Sequence, residues 1–228
     1  MKIQILQLLE GAKRAEGLAV IIDVFRAFSF ACYACGKGIE RIYPVGNIAD
    51  AYLIKREHPD YLLAGERTEQ KPEGFDFGNS PSQIMEADLK GRIMVHTTSS
   101  GTQGIANARH ASEIITGSFV NAAAIVRYVK QHQPPVLSLV CMGYSCAYPT
   151  DEDTFLAEYL KAKLEGTEVD FAAMVRKLRT GAGARFFVPE KQEWAPESDF
   201  GLCLDLDRFD FILKVANENG RNYLKIIQ

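Results

Sequence analysis

No apolar run in this sequence approaches the ~20 residues that span a bilayer, so a membrane-embedded protein is not expected. The amino terminus, MKIQILQLLEGAK, lacks both the charged leading region and the small-residue cleavage site of a secretory signal; a cytoplasmic location is the expectation. Positive charge is not in excess either. The 26 Lys and Arg stand against 29 Asp and Glu, for a formal net charge of −3, which leaves no electrostatic footprint for nucleic acid and no polybasic run for a membrane surface. Small-molecule ligands are the expected partners, and a homo-oligomer is compatible with the sequence.

Histidine is scarce. His58, His96, His110 and His132 are scattered, and none falls at zinc-ligand spacing from a cysteine pair. The five cysteines, Cys32, Cys35, Cys141, Cys146 and Cys203, are an odd set in a chain without an export signal, so reduced thiols are expected. Cys32 and Cys35 have redox-motif spacing, but they sit well past a helix start near Arg26, where no helix terminus activates a thiol. The single tryptophan, Trp194, reads as packing. Also missing are the glycine-to-Gly-Lys spacing of a phosphate-binding Walker loop, the Gly-x-Ser-x-Gly of a nucleophile elbow and the Asp-x-Asp-x-Thr/Val of an aspartyl-phosphate enzyme.

What the 228 residues do hold is enough apolar material, 47%, for a core without disulfides. Short apolar runs alternate with helical patterns: 18–23 then 26–35, 39–45 then 48–56, 61–64 then a long loop and 81–85, 92–96 then 100–109, 113–116 then 119–130, and 136–141 then 153–164. This alternation predicts an α/β fold with a largely parallel sheet and helices on both faces, a three-layer α/β/α arrangement. Phe171 to Leu178 reads as a further helix, and Ile212 to Ile227 as a β-hairpin turning at Asn219-Gly220, a carboxy-terminal capping addition. Residues 1–228 are read as one α/β domain, with a two-lobed form left open.

In such sheets, ligands bind where strands end and helices begin. Asp23, Glu66, the turn Thr97-Thr98-Ser99-Ser100-Gly101-Thr102, Gly117-Ser118 and Gly143 all follow apolar runs, and are predicted to share one edge. The turn at 97–102 offers hydroxyls, free backbone N–H groups and a helix N-terminus to an anion, or it is simply a helix cap. Asp23 and Arg26, three residues apart, suit a carboxylate holding a hard cation beside a guanidinium gripping a phosphate oxygen, or a capping Asp beside a solvated Arg. Glu66-Arg67 repeats that pair. The segment Gly65–Pro81 is longer and more charged than a turn requires, which marks a functional loop carrying Lys71, Asn79 and Ser80. Thr150 and Asp153 read as a helix cap, with Asp151 and Glu152 complementing the helix dipole; the alternative is that one of the three acids, Asp153 foremost, is a further cation ligand or general base.

Asp23-Val-Phe-Arg-Ala27, Gly65-Glu-Arg67, Lys71, Gly74-Phe-Asp76, Gly78-Asn-Ser-Pro81, Thr97-Thr98, Gly101-Thr102, Gly117-Ser-Phe-Val-Asn121, Cys141, Gly143 and Glu152-Asp-Thr154 resemble, in order, the motifs of the 2-phosphosulfolactate phosphatases. The resemblance spans about residues 18–160 and is most specific at Gly65–Pro81. It implies a Mg²⁺-dependent phosphatase that converts 2-phosphosulfolactate to sulfolactate and phosphate in coenzyme M synthesis. Asp23 and Glu66 would then be metal ligands, with Asp153 beside them; Arg26, Arg67 and Lys71 would clamp the anion; and Asn79, Ser80 and the turn at 97–102 would bind substrate. The chain differs from the usual pattern at Phe28-Ser29-Phe30, where hydroxyl residues are the rule, and at Ser100, where Asn is usual. Aromatic rings there are expected to alter an anionic pocket and its specificity. They also motivate two other readings: a phosphatase of altered specificity, and a regulatory protein that binds a small anion without turnover. A thiol-dependent hydrolase using Cys32 or Cys141 is a further alternative.

Overall fold

A computed structural model describes residues 1–228. Nine strands form one sheet: β1 (Lys2–Gln7), β2 (Gly17–Ile22), β3 (Arg41–Pro44), β4 (Leu62–Gly65), β5 (Ile93–Thr97), β6 (Ala111–Gly117), β7 (Val136–Cys141), β8 (Ile212–Glu218) and β9 (Arg221–Ile227). The helices are α1 (Leu8–Lys13), α2 (Ala27–Gly36), α3 (Ile48–Glu57), α4 (Gly101–Asn107), α5 (Ala122–His132), α6 (Asp151–Glu165), α7 (Phe171–Thr180) and α8 (Glu197–Cys203). None is long and apolar enough to cross a membrane.

The strand order is β1-β7-β2-β6-β8-β9-β3-β5-β4. Two parallel blocks, β1-β7-β2-β6 and β3-β5-β4, confirm the mostly parallel α/β arrangement. The β8–β9 hairpin forms around Asn219-Gly220, but it does not cap the sheet; it sits in the middle and joins the blocks. Its pairings with β6 and β3 are antiparallel, as is its own. Three reversals leave the two blocks running in opposite senses, so the strand ends at Asp23 and Glu66 do not share an edge merely by being carboxyl ends.

What brings them together is packing. β2 is buried on both faces, as its unbroken Leu-Ala-Val-Ile-Ile run requires. Leu18, Val20 and Ile22 face a core with α5 and α6, while Ala19 and Ile21 face one with α2 and α4. That second core also takes Ala64 and Met94 from the other block, so both blocks pack on the same two helices. Helix α2 is buried along its whole length from Ala27 to Cys35, as expected for a helix apolar all round. Full burial of Phe28 and Phe30 contributes about 2–3 kcal/mol each.

Strand β1 and helices α1 and α8 were not anticipated. The alternation of Ile3 and Ile5 with Gln4 is a legible but short strand signal, and Gly11 and Ala12 are the only buried positions on α1.

Candidate active site

The junction between β2 and α2 places Asp23 at the floor of a cleft, where it is 6% exposed. Both of its oxygens accept backbone N–H bonds: Oδ1 from Ala27 at 3.1 Å and Oδ2 from Gly101 at 2.8 Å. Gly101 permits this approach because it has no side chain. A Cβ there would lie 2.8 Å from the Ala27 Cβ and 2.9 Å from Asp23 Oδ2.

Asp153, on the first turn of α6, mirrors this arrangement. Its Oδ1 accepts from Val24 N at 2.9 Å and its Oδ2 from Gly143 N at 2.8 Å. The carboxylate thus turns into the cleft, and Thr150 makes no side-chain cap bond, so the capping-box reading fails. Next to it, Glu152 is 4% exposed and its Oε2 has no hydrogen-bond partner. The sequence offers Glu152 only as one of three adjacent acids, because an acid in a first helical turn is already explained by the helix dipole.

Glu66 closes a second wall. Its Oε1 accepts from Ser99 N at 2.6 Å, and its Oε2 from Ser99 Oγ at 3.1 Å and Glu69 N at 3.0 Å. Four N–H groups of the turn at 97–102, those of Thr98, Ser99, Gly101 and Thr102, are therefore taken by acceptors of the protein itself. Ser99 and Gly101 donate to Glu66 and Asp23, while Thr98 and Thr102 exchange bonds with each other's hydroxyls. Thr97 accepts from Arg67 through its hydroxyl, and Ser100 Oγ accepts from Cys146 N. Of this turn, only Ser99 and Ser100 line the cleft.

The basic groups divide. Arg26 lines the cleft but is locked to Asp199 on α8, Nη1 to Oδ2 at 2.7 Å, with both side chains buried. A solvated Arg beside a capping Asp is therefore not what the chain builds. Arg185, unforeseen from the sequence, lines the cleft from a short helical segment (Ala182–Phe187) and donates to Glu69 Oε1 and to the Phe25 carbonyl, each at 2.7 Å. Arg67 points elsewhere, toward Thr97 and the Gly46 carbonyl. Lys71 lines a separate outer cleft of about 490 Å³, which shares Glu69 and Asn79 with the inner one. Asn79 Oδ1 lies 3.0 Å from Nε2 of buried His96, and Ser80 is buried beside Ser82. The inner cleft itself encloses about 40 Å³, room for a few waters.

Burial pushes the Asp23 carboxyl up to about 6, with bonds from the Ala27 and Gly101 amides opposing and the Glu66 charge adding. Glu152 is pushed up to about 7 by burial, against the pull of Arg185, and Asp153 is raised by burial and by Glu152 and Asp23. Burial holds His96 down at about 3 and so keeps it neutral. The thiols of Cys32, Cys35 and Cys141 are buried and raised, Cys35 to about 12. None supplies a thiolate near neutral pH, so the thiol-dependent reading loses its nucleophile.

Phe28 and Phe30 do not enter the cleft. Both lie in the core, Phe30 packed on His96 at 5.0 Å between ring centroids, and Ser29 bonds to the Val24 carbonyl and Ser118. They remove no hydrogen-bond donor from the site.

The cleft thus gathers five carboxylates, Asp23, Glu66, Glu69, Glu152 and Asp153, against two guanidiniums. No three His, Cys, Asp or Glu side chains are arranged to hold a metal ion by themselves. Hard oxygen donors on rigid backbone are nevertheless the chemistry that Mg²⁺ takes, usually one or two carboxylates completed by water and substrate.

The family model described as 2-phosphosulpholactate phosphatase matches residues 3–218. A probable 2-phosphosulfolactate phosphatase of Caldanaerobacter subterraneus is 29% identical over 215 residues, covering 89% of each chain. One of Bacillus subtilis is 29% identical over 87% of each chain, and one of Thermotoga petrophila is 38% identical over 66% of this chain and 64% of its own. With nearly its whole length matched, the chain belongs to the 2-phosphosulpholactate phosphatase family, whose name is that of a phosphoric monoester hydrolase.

Proposed function

We propose that this protein hydrolyses 2-phosphosulfolactate to sulfolactate and inorganic phosphate, with Mg²⁺ as its required cation. The observation that carries the proposal is the charge of the cleft. Five carboxylates face two guanidiniums already paired with acids, and a substrate bearing phosphate, sulfonate and carboxylate adds further negative charge. A cation in the cleft offsets that repulsion. The relatives named above carry the same substrate in their names.

The residues fit that cation. Each Asp23 and Asp153 oxygen accepts one backbone N–H and keeps lone-pair capacity toward the cleft. The buried, unpartnered Oε2 of Glu152 is an acceptor in want of a donor or a cation. One or two of Asp23, Asp153, Glu152 and Glu66 would hold Mg²⁺, with water and substrate completing its shell. When bound, Mg²⁺ supplies positive charge to the phosphoryl oxygens and lowers the pKa of a bound water.

The chain's own residues do the rest. Backbone amides of Ala27, Gly101, Val24 and Gly143 fix the two aspartates, so little reorganisation accompanies the reaction. Arg26 and Arg185 frame the anion. Water attacks phosphorus, the ester P–O bond breaks, and the proton lost by the water ends on the leaving alkoxide.

Anion binding without turnover was suggested by Phe28 and Phe30, and with both in the core no feature of the cleft favours it. Phosphate release measured on 2-phosphosulfolactate, 2-phospholactate and a neutral phosphomonoester tests the proposal. It is expected to be fastest on the first; equal rates on all three, or binding without release, contradict it.

A further inference from the structure

We propose that Arg185 and Lys191 form an oxyanion subsite whose resting occupant is the Glu69 carboxylate, and that a sulfonate or carboxylate group of the substrate takes that place. The identity of the ligand rests on the phosphatase reading above; the contacts stand independently of it.

Glu69 is gripped by two cations from the segment after α7. Arg185 Nη1 donates to its Oε1 at 2.7 Å, and Lys191 Nζ lies 3.5 Å from its Oε2. The second arm of the guanidinium is anchored on the Phe25 carbonyl at 2.7 Å, so Arg185 stays aimed into the cleft whatever Glu69 does. Glu69 rides on a tight turn in which Arg67 and Gln70 exchange both backbone bonds. The two central residues, Thr68 and Glu69, have φ of 50° and 70°. That left-handed region disfavours any side chain and a β-branched one most. The turn is held by its paired backbone bonds, by the Glu69 N–H on Glu66 Oε2 at 3.0 Å, and by what the Glu69 side chain grips.

The two guanidiniums of the cleft are not equivalent. Asp199, partner of Arg26, is fully buried and also accepts the Ser82 N–H at 2.9 Å, so that pair is fixed. Arg185 and Glu69 are 19% and 16% exposed, and their pair can be exchanged against an incoming anion. Space demands the same exchange. The inner cleft encloses about 40 Å³, too little for a substrate with three charged groups, whereas the outer cleft across Glu69 offers about 490 Å³ with Lys71 on its wall. A Glu69 side chain swung outward joins the two spaces and faces the cleft that Lys71 lines, and one negative charge replaces another on Arg185.

Calorimetric titration of the Mg²⁺-loaded protein with sulfolactate, isethionate (sulfonate only) and lactate (carboxylate only) tests this without any turnover. Glu69→Gln, which removes the internal competitor, is expected to tighten sulfolactate binding by about tenfold, and Arg185→Gln to weaken it by about tenfold or more. A gain confined to isethionate assigns the sulfonate to the subsite; a gain confined to lactate assigns the carboxylate. Unchanged affinity in both variants, weaker binding in Glu69→Gln, or a gain with none of the three ligands overturns the proposal. Arg185→Lys, which keeps the charge but not the fork, replaces Arg185→Gln if circular dichroism shows the latter unfolded, and is expected to retain intermediate affinity. Phosphate release by the wild type reports on the phosphatase reading separately, so either can fail while the other stands.

Discussion

Asp23 and Gly101, 78 residues apart in the chain, are joined by a 2.8 Å bond from the glycine amide to the carboxylate. This contact ties the end of β2 to the start of α4, and so couples the two parallel blocks of the sheet at the site itself. A methyl group at Gly101 would press on Ala27 and Asp23. Gly101→Ala is therefore expected to destabilise the fold by about 1–3 kcal/mol and to lower kcat more than it raises KM, measured by urea denaturation and steady-state kinetics.

Asp23→Asn and Glu66→Gln should each lower kcat by about 100-fold or more while circular dichroism stays native-like. Both replacements keep size but put an amide NH₂ where the Ala27, Gly101, Ser99 or Glu69 amide now donates. Near-native kinetics in either variant would remove that carboxylate from the chemistry.

Arg26→Ala is expected to act first on stability. It leaves Asp199 fully buried without its cation, a loss of about 3–5 kcal/mol. Pairing Arg26→Met with Asp199→Leu should recover much of the melting temperature without recovering activity. A stable Arg26→Ala variant with only a raised KM would contradict this.

The raised carboxyls set the pH dependence. Asp23 moves from 3.8 to about 6 and Glu152 from 4.5 to about 7, so the folded state binds these protons more tightly than the unfolded chain. Their contribution is fully present below about pH 4 and is lost as pH rises to about 7. In chelator, the melting temperature should fall between pH 5 and pH 8, and Mg²⁺ should restore more at pH 8 than at pH 5. Glu152→Gln should raise stability in chelator at pH 8 by about 1–3 kcal/mol and do little at pH 5. A melting temperature that climbs between pH 5 and pH 8 without divalent cation would contradict the assignment.

Much of the site could be read from the sequence because its groups follow short apolar runs. Asp23 after Ile22, Glu66 after Gly65 and Ser99 after Thr97-Thr98 are strand-to-loop junctions, and the structure brings all three into one cleft. The reason first inferred, a common sheet edge, is not the operative one, since the central hairpin reverses one block and burial on α2 and α4 does the gathering. Arg185 and Asp199 escaped because the stretch from 181 to 203 has no hydrophobic period, and their partners Glu69 and Arg26 lie 116 and 173 residues away. Local pattern cannot report a contact of that separation. Arg67 shows the converse: adjacency to Glu66 suggested a shared role, yet its guanidinium is bound to Thr97 and Gly46.

The most direct test is phosphate release from 2-phosphosulfolactate by metal-stripped protein, titrated with Mg²⁺, for the wild type beside Asp23→Asn. The cleft's excess of carboxylates predicts no release in chelator, recovery on adding Mg²⁺ in the wild type, and none in the variant at the same concentrations. Full release in chelator, or recovery of the variant alongside the wild type, would contradict a cation held at Asp23.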